Sequence, residues 1–177
     1  MPYTIEQLSD LEDIKVLKHR YFRAIDTADW PLIEGRFTDD VHVEYIGGTY
    51  HVSLKGAANM MEFLKNSFHS KAMAMHHGHM PEIEFTGPDS AKGIWYLEDV
   101  FINFDDDTHT FGTAIYYDDY VREDGVWKIA STVYDRVIEY IAKRDETARF
   151  TAMRLAKTGH KFEELADISH LIKWEDD

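Results

Sequence analysis

Between Met73 and Ala142 the chain is written as four long β-type runs, at roughly 74–86, 90–104, 109–122 and 126–142. Glu123-Asp124-Gly125 between the last two is a hairpin signal, and Asp105-Asp106-Asp107 marks another turn. Runs of this length joined by tight turns build an antiparallel sheet, and any plan for the fold must accommodate one. Several runs are apolar on both faces, IWYLEDVFINF (Ile94–Phe104) most clearly, so both sides of the sheet are expected to be covered.

What precedes the sheet is helical. Leu8, Leu11, Ile14, Leu17, Tyr21 and Ile25 recur every three to four residues, the stripe of a helix with one buried side. Asp29-Trp30-Pro31 reads as the cap and first turn of a short helix running to about Phe37. VHVEYI (41–46) alternates as a strand, Gly47-Gly48 turns the chain, a second strand follows near 49–54, and 57–68 is helical in spacing. Helices followed by a long curled sheet make an α+β plan, with a conical cavity between sheet and first helix. Residues 1–142 are expected to form one domain. Residues 143–177 are a charged, partly helical extension expected to pack on the core or on a neighbouring subunit.

Composition removes several classes of function. A formal net charge of −14 argues against nucleic acid or an anionic membrane as partner. With no cysteine there is no disulfide, no thiol chemistry and no Cys-based metal site. The opening MPYTIEQLSDLEDIK is acidic and lacks the apolar core of a signal peptide, and no run approaches the ~18 apolar residues of a membrane span. A cytoplasmic location is expected.

Two carboxylates, Glu98 and Asp99, sit inside an apolar run, where an unpaired charge is too costly to bury. Period two puts Asp99 with Trp95, Leu97 and Phe101, and Glu98 with Tyr96, Val100 and Ile102. One acid points into the cavity and the other outward, and the pattern does not choose between them. Just upstream, MHHGHMPEIEF carries His76, His77 and His79. A histidine beside an inward acid is the minimal apparatus for moving protons near neutral pH. His77 and His79 share a face and could grip a metal, but spacing supplies no third ligand, so no metal is expected. Gly78 and Pro81 suggest a bulge here. Tyr21 lies on the apolar stripe of the first helix, and Asp26 lies near that helix's end.

The order YFRAID (Tyr21–Asp26) with Trp30, MHHGHMPEI (Met75–Ile83), GIWYLED (Gly93–Asp99) and YYDDYVREDGVWKI (Tyr116–Ile129) resembles the SnoaL-like branch of the nuclear-transport-factor-2-like superfamily over roughly residues 8–142. Within that branch the chain resembles bile acid 7α-dehydratase and, more distantly, scytalone dehydratase and hexachlorocyclohexane dehydrochlorinase. The resemblance implies an α+β cone, often a homotrimer, with cofactor-free elimination chemistry on a hydrophobic aromatic or polycyclic molecule. Carried over by position, the catalytic set is His76, the Asp26 that orients it, Tyr21 and Asp99, and the substrate-binding set is Tyr45, His79, Trp95 and Tyr117. Dehydration is the first expectation. Isomerisation, or carbon–carbon cleavage releasing formaldehyde from an aryl diol, would use the same base. A metal-dependent enzyme and a non-catalytic binding module are the other classes.

Overall fold

The computed structural model describes residues 3–174. Helix α1 (Ile5–Thr27) begins with a capping box: Thr4 Oγ1 accepts from the Gln7 N–H at 3.1 Å and Gln7 Oε1 accepts from the Thr4 N–H at 3.0 Å. It ends on Ala28 in the left-handed region (φ 50°), whose N–H bonds the Ala24 carbonyl. The buried stripe runs through Ile14, Leu17, Lys18, Tyr21, Phe22 and Ile25, while Leu8 is half exposed. The stripe therefore starts two turns later than spacing suggests, and it includes a lysine.

Pro31 lies in a single 3-10 turn (Trp30–Leu32) rather than a helix reaching Phe37. Gly35, at φ 69°, turns the chain into strand β1 (Phe37–Ile46). Strand β2 (Tyr50–Lys55) follows, then α2 (Ala57–Ser67), and then the four long strands: β3 (Ala72–Gly87), β4 (Ser90–Asn103), β5 (Thr108–Glu123) and β6 (Val126–Lys143). The β5–β6 hairpin turns on Asp124 and Gly125, both at positive φ, the pattern of a two-residue primed turn.

Across the sheet the order is β3-β4-β5-β6-β1-β2-β7, where β7 is Ile172–Trp174. The sheet is not wholly antiparallel, because β1 lies parallel to β6 with Tyr45 opposite Tyr134. A parallel neighbour requires a long crossover, and the intervening α2 and hairpins supply it. The sheet curls around α1 without closing, and the core fills the space between them.

The tail is less helical than its composition suggests. It contains one four-residue helix α3 (Leu155–Thr158), two 3-10 turns and β7, which pairs with the free edge of β2. Leu155 and Leu171 are buried, and Thr158 Oγ1 donates to the Thr27 carbonyl at 2.6 Å, tying the tail to the end of α1. The outer face of the sheet is not covered within one chain. Ile94, Tyr117, Ile138 and Tyr140 share that face by register, and all are exposed.

Candidate active site

Strand β3 is an edge strand, so every second backbone N–H on its free side lacks a ladder partner. At His76 that N–H is taken by Asp26, in the last turn of α1, at 3.0 Å to Oδ2. The other oxygen, Oδ1, lies 2.6 Å from the Nδ1 of the same residue. One carboxylate thus clasps both backbone and ring of His76. With Nδ1–H donating to Asp26, Nε2 keeps its lone pair. Phe22 stacks on the imidazole (centroids 6.2 Å, planes 8° apart) and Phe68 meets it edge-on at 5.5 Å. Both side chains of the dyad are largely buried, at 9% exposure for His76 and 22% for Asp26.

The dyad opens onto a cavity of about 330 Å³ between α1, α2 and the concave sheet. Apolar walls come from Ile25, Val52, Phe63, Leu64, Phe68, Leu97 and Phe101, and Ile172 and Trp174 of the tail strand also line it. A cluster of tyrosines supplies the polar groups. Tyr21 and Tyr45 hydroxyls are 2.8 Å apart, Tyr45 stacks on Tyr134 at 4.5 Å, Tyr116 stands edge-on to both, and the Tyr50 hydroxyl meets that of Tyr134. Burial raises the pKa of Tyr21, Tyr45, Tyr50, Tyr116 and Tyr134, so these phenols stay neutral O–H donors.

Asp99, directly across the ladder from His76, faces inward, and Glu98 faces out. Asp99 does not stand free. Both its oxygens accept from the Arg136 guanidinium, and Arg136 Nε lies 3.2 Å from Glu139 Oε1. Glu139 Oε2 in turn accepts the Gly48 N–H at 2.9 Å. One guanidinium therefore faces two carboxylates, and this end of the cavity carries a net negative charge. Period two places Arg136 inward after Tyr134, but Glu139 follows at an odd spacing. The register shift between β5 and β6, at Thr113/Ala114, is what returns Glu139 to the inner face.

The sequence-derived residues divide cleanly. Tyr21, Tyr45, His76 and Asp99 line the cavity and Asp26 joins them through its two hydrogen bonds to His76, whereas His79, Trp95 and Tyr117 do not line it. His79 shares His77's parity and lies on the outer face, 3.6 Å from Glu98. Trp95 points inward but beyond the cavity's end at Leu97, where its Nε1–H donates to Tyr120 at 3.0 Å and its ring meets His19. Tyr117 is one residue out of phase with Tyr116 and so is half exposed on the outer face. Behind the tyrosine wall Lys18 is fully buried, with its ammonium 2.8 Å from Asp118 and 3.6 Å from the Tyr116 ring centroid. Its place between Ile14 and Ile25 on the helical stripe was the available signal for that burial.

A SnoaL-like domain matches residues 6–133, nearly three quarters of the chain. The chain belongs to the SnoaL-like family. Its fold is shared with a hexachlorocyclohexane dehydrochlorinase of LinA type 3 from Novosphingobium barchaimii LL02 (18% identity, TM-score 0.69, 84% of this chain and 98% of that one). A candidate scytalone dehydratase from Novosphingobium aromaticivorans matches at 16% identity and TM-score 0.68, over 80% and 92% of the two chains. A protein of unknown function from Mycobacterium tuberculosis, Rv3472, aligns over 97% of this chain and 96% of its own, at 20% identity and TM-score 0.64. The nuclear-transport-factor-2-like cone expected for this SnoaL-like chain is therefore the fold it shares with these structures.

Proposed function

We propose that this SnoaL-like protein is a cofactor-independent lyase that eliminates water from a hydrophobic, uncharged aromatic molecule. The observation that carries the reading is the Asp26 clasp: a ring fixed at Nδ1 and an adjacent backbone N–H held by one carboxylate, on the wall of an apolar cavity. His76 Nε2 takes a proton from carbon, and Asp26 balances the imidazolium that results. Tyr21 and Tyr45, neutral donors 2.8 Å apart, stabilise the substrate oxygen on which charge develops. The protonated His76 then delivers its proton to the departing hydroxyl.

Asp99 anchors Arg136 in this scheme and transfers no proton, since both its oxygens already accept from the guanidinium. The two carboxylates around that one cation favour a neutral substrate over an anionic one. A volume near 330 Å³ suits one or two fused rings better than a larger polycycle. The exposed apolar residues Ile138 and Tyr140 of β6 support assembly of identical copies through that strand, for which we propose the trimer.

The test is hydrogen exchange at carbon in D₂O, followed by NMR across a panel of β-hydroxy aryl ketones, alongside appearance of the conjugated product. His76→Ala and Asp26→Asn should each lower both rates at least ~100-fold with unchanged circular dichroism. Rates within a few-fold of the parent in both variants would end the proposal. Exchange without dehydration would reassign the reaction to isomerisation.

A further inference from the structure

Strand β3 sends His76 inward and so sends His77 and His79 outward, onto the opposite face of the sheet. There the cross-strand partner of His77 is Glu98, which also lies 3.6 Å from His79. One ligand atom from each of these three side chains falls within 4.8 Å of the others, and among the described residues no other trio of His, Asp or Glu converges so. His42 and His51 also flank an acid, Glu44, without forming such a group. The two imidazoles stand at 71° to one another, with 5.9 Å between centroids. Around a tetrahedral ion with bonds of about 2.0–2.1 Å, ligand atoms stand roughly 3.3 Å apart. Side-chain rotation alone closes that gap, because His79 and Glu98 are nearly half exposed.

We propose that His77, His79 and Glu98 form a binding site for a borderline divalent cation of the zinc class, separate from the cavity. Two imidazoles and one carboxylate suit Zn²⁺ and reject the oxygen-seeking Mg²⁺ and Ca²⁺. Water fills the remaining position. Met80 at φ 48° and the register shift between His79 and Glu82 interrupt the ladder just beyond this site, and both histidines lie on the regularly paired stretch that precedes the interruption. Two of the ligands come from edge strand β3 and one from β4, so the ion clamps the edge strand, directly behind the residue that faces Asp26.

Metal-stripped protein titrated with Zn²⁺ in a calorimeter should bind one ion per chain. Co²⁺ in its place should give the visible absorption of a tetrahedral site, and Mg²⁺ should give no heat. Saturating Zn²⁺ should raise the melting temperature by several degrees. His79→Gln at an exposed position and Glu98→Gln at a half-exposed one should each weaken Zn²⁺ at least tenfold and abolish the thermal shift, while His51→Gln should change neither. His76→Asn should leave Zn²⁺ binding intact, and loss of binding there would place the ion in the cavity and overturn the proposal. Binding untouched by both His79→Gln and Glu98→Gln, or absent from the parent protein, would overturn it as well.

Discussion

The buried Lys18–Asp118 pair offers the sharpest test of how the cavity's rear wall is held. At 2.8 Å and an effective dielectric of about 20, the two charges attract by about 6 kcal/mol. The Tyr116 ring, 3.6 Å from the ammonium, and the Tyr120 hydroxyl, which donates to Asp118 at 2.6 Å, add to that. Against it stands a desolvation cost of several kcal/mol for each ion, both side chains being wholly inaccessible. The pair is therefore close to neutral as a unit, whereas either charge left alone is costly. Lys18→Met should destabilise the fold by about 3–5 kcal/mol, lowering the urea midpoint by roughly 1.5–2.5 M at an m-value near ~2 kcal/mol/M. Asp118→Asn, which keeps an acceptor for Tyr120, should fall at the low end of that range. The Lys18→Met/Asp118→Asn double variant should recover most of the loss. pH supplies a second readout. Burial lowers the pKa of Lys18, with Asp118 opposing, so between that lowered value and the ordinary 10.5 the unfolded chain holds the proton more tightly. Lys18 should therefore contribute a rise of parent stability with pH in that window, visible below about pH 10 where the tyrosines do not yet oppose it, and Lys18→Met should lose that contribution. Single-variant costs that simply add, with coupling under about 0.5 kcal/mol, would refute the reasoning.

Two further outcomes follow from the tyrosine wall and from the packing over the dyad. Tyr21, Tyr45, Tyr50, Tyr116, Tyr120 and Tyr134 all have their pKa raised by burial, so the fold binds their protons more tightly than the unfolded chain does. Stability should therefore fall as pH rises past about 10, and ultraviolet titration should show these phenols ionising only as the protein unfolds. At Gly78 a Cβ would run into Phe22, the ring stacked on His76. Gly78→Ala should cost about 1–3 kcal/mol in denaturant titrations and reduce turnover through the displaced imidazole.

Much of the fold could be read in advance because each long strand is bounded by its own chemistry. The run expected at 90–104 is β4 at Ser90–Asn103, and the run at 126–142 is β6 at Val126–Lys143. Turn residues and β-branched or aromatic content are local properties, so local reading suffices. The site required more. Choosing Asp99 over Glu98 depends on which face of β4 meets α1, a tertiary fact that alternation leaves open. His79 and Tyr117 failed as cavity residues through parity, each sitting one residue out of phase with an inward neighbour. Trp95 had the right parity and the wrong depth. Glu139 was hidden by a register shift, and Lys18 by the ordinary presumption that a lysine on an apolar stripe turns outward. The tail's β-pairing was invisible because the three residues of β7 carry no periodicity; their strand character comes from the exposed edge of β2.

The position of the dyad also has a reason in the backbone. On a central strand the N–H of the residue carrying the base would be spent on the ladder, and an approaching carboxylate would find only the ring to bind. Edge strand β3 leaves that N–H free, and the C-terminal turn of α1 lies against it. Asp26 can thus satisfy a sheet edge and orient a base with one side chain, which fixes the imidazole by two points rather than one. A carboxylate at the end of a helix meets the unfavourable pole of the dipole, yet here the donors from β3 compensate it. On this reasoning Asp26→Glu is as informative as Asp26→Asn. The longer side chain can keep charge and ring contact but not both hydrogen bonds at once, so a large loss of turnover with retained folding would show that two-point clasping, and not the charge alone, is what the edge strand contributes.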